Sequence, residues 1–253
     1  MSTLLLRLAG PMQAWGTQSR FSIRDTGLEP SKSGVIGLLC AALGKPRDEK
    51  PNDAWPTLEQ LAALRMGVRV DGEGSMKADY HTAGGTHRRG EVYGIYRASG
   101  DISRNPVVST RYYLADADFL VGLEGDPDLL ARFNEALAEP KWQLYLGRKS
   151  FVPAVPPRLP DRPPFGPGLR DESLLDALTN YPYFHDGRAG NDLPERLRLV
   201  VDAPDSPGGE VRRDVPLSFS VRRFGVRYVE TRWIDKTAEV LRDVSFTTDS
   251  ERA

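Results

Sequence analysis

The chain has 253 residues, of which 40% are hydrophobic and 27% are charged, and its formal net charge is −1. This length is enough to bury a core, either as one large domain or as two small ones. The single cysteine, Cys40, excludes an internal disulfide and is typical of proteins from a reducing cytoplasm. No apolar run approaches the roughly 20 residues of a membrane-spanning helix, so the sequence predicts a soluble, cytoplasmic protein.

The N-terminal segment predicts a buried strand over residues 3–9 that ends in a sharp turn. Gly10 and Pro11 favour the turn, because glycine accepts a positive φ and proline fixes the next φ. The turn brings Gln13 and Trp15 to one place, where an amide and a flat indole can contact a nucleobase. Packing of both side chains in the core is the alternative, and these residues taken alone favour it.

Hydrophobic periodicity and turn residues then predict the order strand, helix, strand, strand, helix, strand. The predicted elements are strand 3–9, helix 35–43, strand 64–70, strand 118–124, helix 127–138 and strand 141–146. This is the βαββαβ order of a ferredoxin-like α+β fold, which RNA-recognition motifs also use.

The connection between the second and third predicted strands, residues 71–117, is unusually long. It has 47 residues, whereas a hairpin loop needs only about two to five. Two β-prone stretches, 92–96 and 107–113, can pair with each other and leave a mobile tip near residues 84–90. We therefore predict a protruding β-hairpin, the thumb, over about residues 77–111.

Prolines mark a boundary after the first predicted domain, residues 1–150. Residues 151–168 contain seven prolines and predict a linker or a strap over the surface. Strand-like runs follow at 197–201 and 216–233. They predict a separate, smaller β-rich unit over residues 169–253.

Arginine is concentrated in two segments although the net charge is close to zero. Residues 87–111 contain five basic residues against two acidic ones, and residues 210–236 contain seven against four. Guanidinium groups bind phosphate through two parallel hydrogen bonds and stack on bases, which favours a nucleic-acid partner. A solvated charged face is the alternative for either segment alone. The basic residues of the first segment are Arg88, Arg89, Arg97, Arg104 and Arg111.

Two short motifs predict phosphate contacts. Lys32 and Ser33 lie at the expected N-terminus of the first helix, where free N–H groups attract anions. Arg148 and Lys149 follow Gly147, which lets a ligand approach the backbone closely. Capped helices and basic turns are common, so each motif alone is weak.

Motifs for metal or nucleotide chemistry are absent from the sequence. The three histidines have no zinc-site spacing, and no Walker loop or G-x-S-x-G motif occurs. His81 and His87 lie near Arg88 in the thumb, where a metal-independent ribonuclease can use such a histidine as general acid or base. Ordinary polar loop histidines are the favoured alternative.

Five stretches that span most of the first 150 residues resemble the Cas five group of CRISPR proteins, in particular its CasD subunits of type I-E Cascade. They also keep that family's order along the chain. The stretches are residues 6–16, 30–39, 79–82, 111–117 and 146–150.

The resemblance implies a ferredoxin-like domain with a thumb that caps the 5′ handle of CRISPR RNA (crRNA) for antiviral defence. It implies contacts with the backbone and large subunits of Cascade rather than an independent homo-oligomer, and neither cofactor, metal nor membrane. Type I-C relatives cut precursor crRNA with a Tyr, Lys and His set. Lys77 is the only lysine of the thumb, and no convincing set can be placed.

The expected function is therefore non-catalytic RNA binding. A metal-independent endoribonuclease of the same fold is the alternative, and the Arg-rich thumb disfavours a pure protein-interaction module. The expected RNA-binding residues are Gln13, Trp15, Lys32, Ser33, Arg88, Arg89, Arg97, Arg104, Arg111, Tyr112, Arg148 and Lys149.

Overall fold

A computed structural model describes most of the chain. The described residues are 1–18, 22–48, 54–84, 87–88, 91–92, 94–96, 99–103, 105–161, 166–185, 195–203, 208–235 and 240–242, with the backbone alone at 87–88, 91–92, 103, 184–185 and 240–242. Within these ranges, no helix has the length and apolar character needed to cross a bilayer.

The helices and strands have the following bounds. The helices are α1 (Lys32–Leu43), α2 (Leu58–Ala63), α3 (Pro127–Ala138) and α4 (Leu174–Asn180). The strands are β1 (Ser2–Gln13), β2 (Ile23–Arg24), β3 (Arg65–Gly72), β4 (Ser75–Ala83), β5 (His87–Arg88), β6 (Glu91–Val92), β7 (Ile95–Tyr96), β8 (Ile102–Ser103), β9 (Val107–Gly125), β10 (Leu169–Arg170), β11 (Tyr183–His185), β12 (Arg196–Asp202), β13 (Glu210–Ser218), β14 (Arg223–Asp235) and β15 (Val240–Arg242).

One large antiparallel sheet organises the chain, in the order β10-β1-β9-β3-β12-β14-β13. The central pair, β1 and β9, is in register from Ser2 opposite Gly125 to Gln13 opposite Leu114. Because side chains alternate along a strand, each face of this sheet presents its own apolar set. The predicted α+β class, an antiparallel sheet covered by helices, is confirmed.

The two faces bury different helices. Met66, Val68 and Val70 of β3 alternate onto the face that packs on α1 and α3, as their spacing predicts. On the opposite face, Leu5 and Leu120 pack on α4. Strands between the two cores are buried on both sides, which holds β1 and β9 rigidly.

The sixth predicted element, residues 141–146, is not a strand. The N–H groups of Lys141 and Trp142 donate to the carbonyls of Ala42 and Ala41, so this segment caps the C-terminus of α1. The edge of β1 is occupied instead by β10 and by the Pro-rich strap, whose Ala154 N–H donates to the Ala9 carbonyl.

The predicted separate unit over residues 169–253 is also not separate. Its strand β12 pairs with β3, and β14 pairs with β12, so the C-terminal strands extend the same sheet. Arg69 of β3 is fully buried and donates to Asp71 and to the carbonyls of Leu178, Tyr181 and Pro182 at the end of α4. A cation is stabilised at the carbonyl end of a helix, and the bonds of Arg69 join α4 to the sheet.

The thumb is built from other strands than those predicted. Residues 107–115 of β9 pair with β4, from Val107 opposite Ala83 to Ala115 opposite Ser75, rather than with residues 92–96. The strand signal of β4 is weak because it is mostly exposed and carries few apolar residues. Since β9 continues from the core into the thumb, the base of the thumb is a rigid extension of the sheet.

Candidate nucleic-acid interface

Gln13 and Trp15, expected to contact bases, lie in the core with 0% and 2% of their surface exposed. The Gln13 amide nitrogen donates to the carbonyls of Leu8 (2.9 Å) and Ala117 (2.7 Å), and its oxygen accepts from the Trp15 indole (3.1 Å). A buried amide with its polar groups satisfied fixes the turn after β1. The expectation that these two side chains contact RNA bases is therefore corrected in favour of packing.

Lys32, expected to hold a phosphate, is also buried. Its ammonium donates to Asp202 at 3.1 Å, and its backbone N–H donates to the carboxylate of Asp214 at 2.7 Å. Burial lowers the pKa of Lys32, although Asp202 opposes this effect. Asp214 thus occupies the anion position at the N-terminus of α1, and Ser33 is half-buried in the same turn. The sequence motif identified an anion site, but the anion is a side chain of this protein.

Arg111 lies at the base of the thumb on β9, opposite Asp79 of β4 and Arg24 of β2. Its Nε donates to Ser109 at 3.1 Å. Its terminal nitrogens have no hydrogen-bond or ion-pair partner among the described residues. Cross-strand neighbours share a face, so two guanidinium groups lie side by side on a rigid ribbon.

Arg148 completes this group, and we call Arg24, Arg111 and Arg148 the arginine cluster. Its guanidinium donates to the carbonyls of Tyr112 (2.9 Å) and Arg24 (3.3 Å) and lies 5.4 Å from the centroid of the Phe151 ring. These contacts fix the side chain, and no carboxylate among the described residues is bonded to it. Burial lowers the pKa of Arg148 and the nearby charge of Arg111 lowers it further, while Asp79 and Asp25 oppose this effect.

A cleft of about 290 Å³ opens beside the arginine cluster, and we call it the thumb-base cleft. Its lining includes Gly147, whose φ is +95° and where a Cβ would lie 1.9 Å from the Ala14 oxygen. Only glycine fits there, but the group that approaches it is the Ala14 carbonyl of this chain rather than the ligand that the sequence motif predicts. Like charges held together by the fold favour an anionic ligand, because that ligand relieves their repulsion.

The two faces of the thumb differ in character. Lys77, Asp79 and His81 of β4 share the face of Arg111. The opposite face exposes large apolar side chains. These are Ile23, Met76, Tyr80 and Val108, with 57%, 50%, 73% and 37% of their surface exposed. One face thus suits an anion and the other suits a protein surface.

The remaining expected residues divide into two groups. Lys149 is exposed beside the cleft, and Tyr112 is half-buried and contributes its carbonyl to Arg148. Arg89, Arg97, Arg104 and the side chain of Arg88 lie outside the described residues. Sequence analysis missed Arg24, whose two-residue strand carries no periodic signal and whose role depends on pairing with Arg111.

Catalytic features are sparse in the described part of the chain. No group of three or more His, Cys, Asp and Glu side chains there is arranged to hold a metal ion. Nδ1 of His81 lies 3.5 Å from the Asp79 carboxylate, on the same ribbon face as Arg111.

Two solved chains resemble this protein in fold and in sequence. A chain from a crystal structure of a Cas protein superposes with a TM-score of 0.69 and 43% identity, over 92% of this chain and 95% of that chain. A chain from a CRISPR RNA-guided surveillance complex gives a TM-score of 0.69 and 32% identity, with coverages of 92% and 90%.

A curated relative, the CRISPR system Cascade subunit CasD of Escherichia coli (strain K12), is 35% identical over 161 residues. The match covers 59% of this chain and 66% of that relative, so the chain spans slightly less than two thirds of it. The family model described as CRISPR-associated protein (Cas_Cas5) matches residues 3–230. The resemblance seen in the motifs is thereby confirmed, and the chain belongs to the Cas5 family of CRISPR-associated proteins.

Proposed function

We propose that this chain is a cytoplasmic, non-catalytic crRNA-binding subunit of a type I-E CRISPR surveillance complex, Cascade. In this proposal its ferredoxin-like frame holds the arginine cluster, which binds the 5′ handle of crRNA. The thumb contacts the backbone and large subunits. The relatives named above, a Cascade subunit and a chain of an RNA-guided complex, support the assignment.

The observation that carries the proposal is the arginine cluster. Arg111 and Arg24 are cross-strand neighbours, and Arg148 is held beside them by two backbone carbonyls. Fixed guanidinium groups bind phosphate oxygens or base edges with little loss of side-chain entropy. RNA handles are single-stranded at their ends, where phosphates and base edges are both accessible.

The partner contacts rest on the apolar face of the thumb. Tyr80 and Val108 are exposed there, next to Ile23 across β9. Exchange of both Tyr80 and Val108 for serine is expected to weaken co-purification with the other Cascade subunits while handle affinity stays within about two-fold. Val211 and Tyr228, an exposed cross-strand pair on β13 and β14, give the matched control when exchanged for serine. Equal loss of assembly for both pairs contradicts a role specific to the thumb.

Handle recognition is tested by titrating the purified chain with RNA that carries the repeat-derived 5′ segment and with RNA of equal length and scrambled 5′ segment. We expect tighter binding of the first RNA. The logarithm of its affinity should fall with the logarithm of salt with a slope of about −2, since each single-strand phosphate contact contributes about −0.7. Equal affinities for the two RNAs contradict handle recognition.

A second candidate function, a metal-independent endoribonuclease, rests on the proximity of His81 and Asp79 on the face of Arg111. Incubation of the chain with precursor crRNA and a chelator separates the two candidates. The non-catalytic proposal expects intact RNA after hours. Specific cuts within the repeat that disappear in His81→Ala, but persist in the exposed control variant Arg223→Ala, would favour the ribonuclease.

A further inference from the structure

A second cleft, of about 630 Å³, lies on the other side of the segment that borders the thumb-base cleft. Residues 14–18 and 25–27 form this shared segment, which we call the partition. The Trp15 N–H donates to the Thr26 hydroxyl (2.9 Å), and the Gly27 N–H donates to the Trp15 carbonyl (3.2 Å). Ala14 and Gly16 line the thumb-base cleft, while Trp15 and Thr17 line the second cleft.

One side of the partition is exposed to solvent. Gly16, Thr17 and Gln18 are all exposed. A Cβ at Gly16 would lie 2.4 Å from the Asp25 oxygen, so no side chain fits at this point. Among the described residues, Gly16 is therefore a point between the two clefts that carries no side chain.

Among the described residues that line the second cleft, Arg213 is the available cation. Arg212 donates to Glu29 (2.8 Å) and Glu210 (3.1 Å), and Arg227 is bonded to Asp214 and Asp202. Arg213 is exposed and has no hydrogen-bond or ion-pair partner among the described residues. Glu210 is bonded through one carboxylate oxygen, Oε2, and 60% of its side chain is exposed.

We propose that the RNA bound in the thumb-base cleft continues over Gly16 and places one more nucleotide in the second cleft. This inference rests on the proposed function. Arg213 binds the phosphate of that nucleotide, and Glu210 accepts a hydrogen bond from its base edge. The acidic residues of this cleft balance its arginines, which limits the cleft to one phosphate. A carboxylate accepts hydrogen bonds from amino groups such as cytosine N4, so Glu210 favours a base that carries an amino group.

The test uses handle RNAs shortened from the 5′ end by one nucleotide at a time, titrated against the full chain and three variants. Arg213→Ala is expected to lose about tenfold in affinity for the long RNAs, which is the cost of one charge-assisted contact. Its salt slope should be smaller by about 0.7. Both differences should vanish once the RNA is too short to cross the partition, whereas the effect of Arg111→Ala should persist. Arg223→Ala, an exposed arginine at the start of β14, is the matched control.

The base contact is tested at the RNA position where the Arg213 effect first appears. Cytosine there should bind about fivefold or more tighter than uracil, and Glu210→Gln should remove the difference. An Arg213→Ala variant that binds every RNA like the parent, while Arg111→Ala is impaired, overturns this inference and leaves the proposed function standing. If both Arg213→Ala and Arg111→Ala bind every RNA like the parent, the proposed function itself is overturned. No preference between the two bases overturns the role of Glu210.

Discussion

At the scale of single residues, two polar side chains whose motifs predicted RNA contacts stabilise the fold instead. Gln13 bonds three buried groups at the end of β1, and Lys32 bonds Asp202 beneath the C-terminal strands. Both residues lie within the motifs that carry the family resemblance, and both side chains are buried and bonded to groups of this chain. This distinction leads to two predictions that separate stability from RNA binding.

Gln13→Leu is expected to destabilise the protein without changing its RNA affinity by more than about two-fold. The exchange removes the amide bonds to the Leu8 and Ala117 carbonyls and leaves the Trp15 indole N–H without the bond it makes to Gln13. An unsatisfied buried group costs about 1–3 kcal/mol, and each lost hydrogen bond costs about 0.5–1.5 kcal/mol. For a chain of this size, 1 kcal/mol shifts Tm by about 2–4 °C, so a fall of about 4 °C or more is expected.

Thermal melting measured by circular dichroism checks this expectation, with the exposed Gln143→Leu as control. The control should move Tm by less than about 2 °C. An unchanged Tm for Gln13→Leu together with a large loss of RNA affinity would restore the base-contact interpretation.

Asp214 gives the stability of the fold a defined pH dependence. Burial disfavours its charge, but hydrogen bonds from Arg227 and from the Lys32 N–H prevail and lower the pKa of Asp214 below its ordinary value of 3.8. A carboxyl with a lowered pKa in the folded state stabilises the protein above its unfolded-state pKa. This stability is lost as pH falls through the folded-state value.

Asp214→Asn is therefore expected to lose about 3–5 kcal/mol of unfolding free energy at pH 7, which is typical of a broken buried pair. The difference from the parent should shrink as pH falls below about 4. Lys32→Met should cost less, because Asp202 keeps its bonds from Arg227 and from the Met66 N–H. Urea unfolding at pH 7 and pH 3 measures these differences. A constant loss across that range contradicts the assignment to Asp214, and weaker RNA binding by Lys32→Met contradicts its structural role.

At the scale of elements, the thumb is a ribbon whose base is firm because β9 runs from the core into it. The sequence predicted the insertion and its extent from length, glycines and β-prone runs. It could not predict the pairing, because β4 has neither the apolar alternation nor the β-branched content that identifies a strand. Partner choice in a hairpin depends on register, which these exposed residues specify only weakly.

Replacing residues 84–106 by Asn-Gly tests whether the tip of the thumb contributes to RNA binding, to assembly or to stability. Ala83 and Val107 are paired, so a two-residue turn can join them in register. We expect Tm to change by less than about 2 °C, because the change is confined to the surface. Binary handle affinity should be retained, since the arginine cluster lies at the base. Weaker assembly into Cascade would place partner contacts in the tip, whereas a large fall in Tm would show that these residues support the core.

At the scale of the whole molecule, one sheet joins the N-terminal and C-terminal parts. The sequence predicted α1, β3, α3 and parts of β1 and β9, but not α2, β2 or β4. It also ended the first strand in a turn at Gly10 and Pro11, which is wrong, because β1 continues in register with β9 as far as Gln13. The density of prolines suggested a boundary near residue 168. Proline removes a backbone N–H donor, however, and does not show where a hydrophobic core ends. The strap runs along β1, and pairing of β3 with β12, separated by more than a hundred residues, has no local signal.

A chain that ends at residue 168 is therefore expected not to fold cooperatively. It lacks α4 and β12, which cover Leu5 and Leu120, and it leaves the buried Arg69 without its three carbonyl partners. Urea unfolding followed by circular dichroism should show no sigmoidal transition. A cooperative transition with the stability of the full chain would restore the predicted two-unit organisation.

The candidate site also forms at the scale of the whole molecule, which explains how far the sequence could identify it. Arg111 and Arg148 were predicted from a strand end and a glycine turn, both local signals. Their convergence with Arg24 requires β2, β9 and the turn that begins at Gly147 to meet, and no local pattern encodes that meeting.

The most direct test of the central claim is a titration of handle RNA at fixed salt with Arg111→Ala and with the matched exposed variant Arg223→Ala. A rigid guanidinium that contacts phosphate or a base edge contributes about 1–3 kcal/mol, so Arg111→Ala should bind about 5- to 150-fold more weakly. Its Tm should stay within about 2 °C of the parent, because Arg111 has no carboxylate bonded to it among the described residues. Arg223→Ala should lose little affinity. Equal small losses for the two variants would show that general charge, rather than the arginine cluster, binds the RNA.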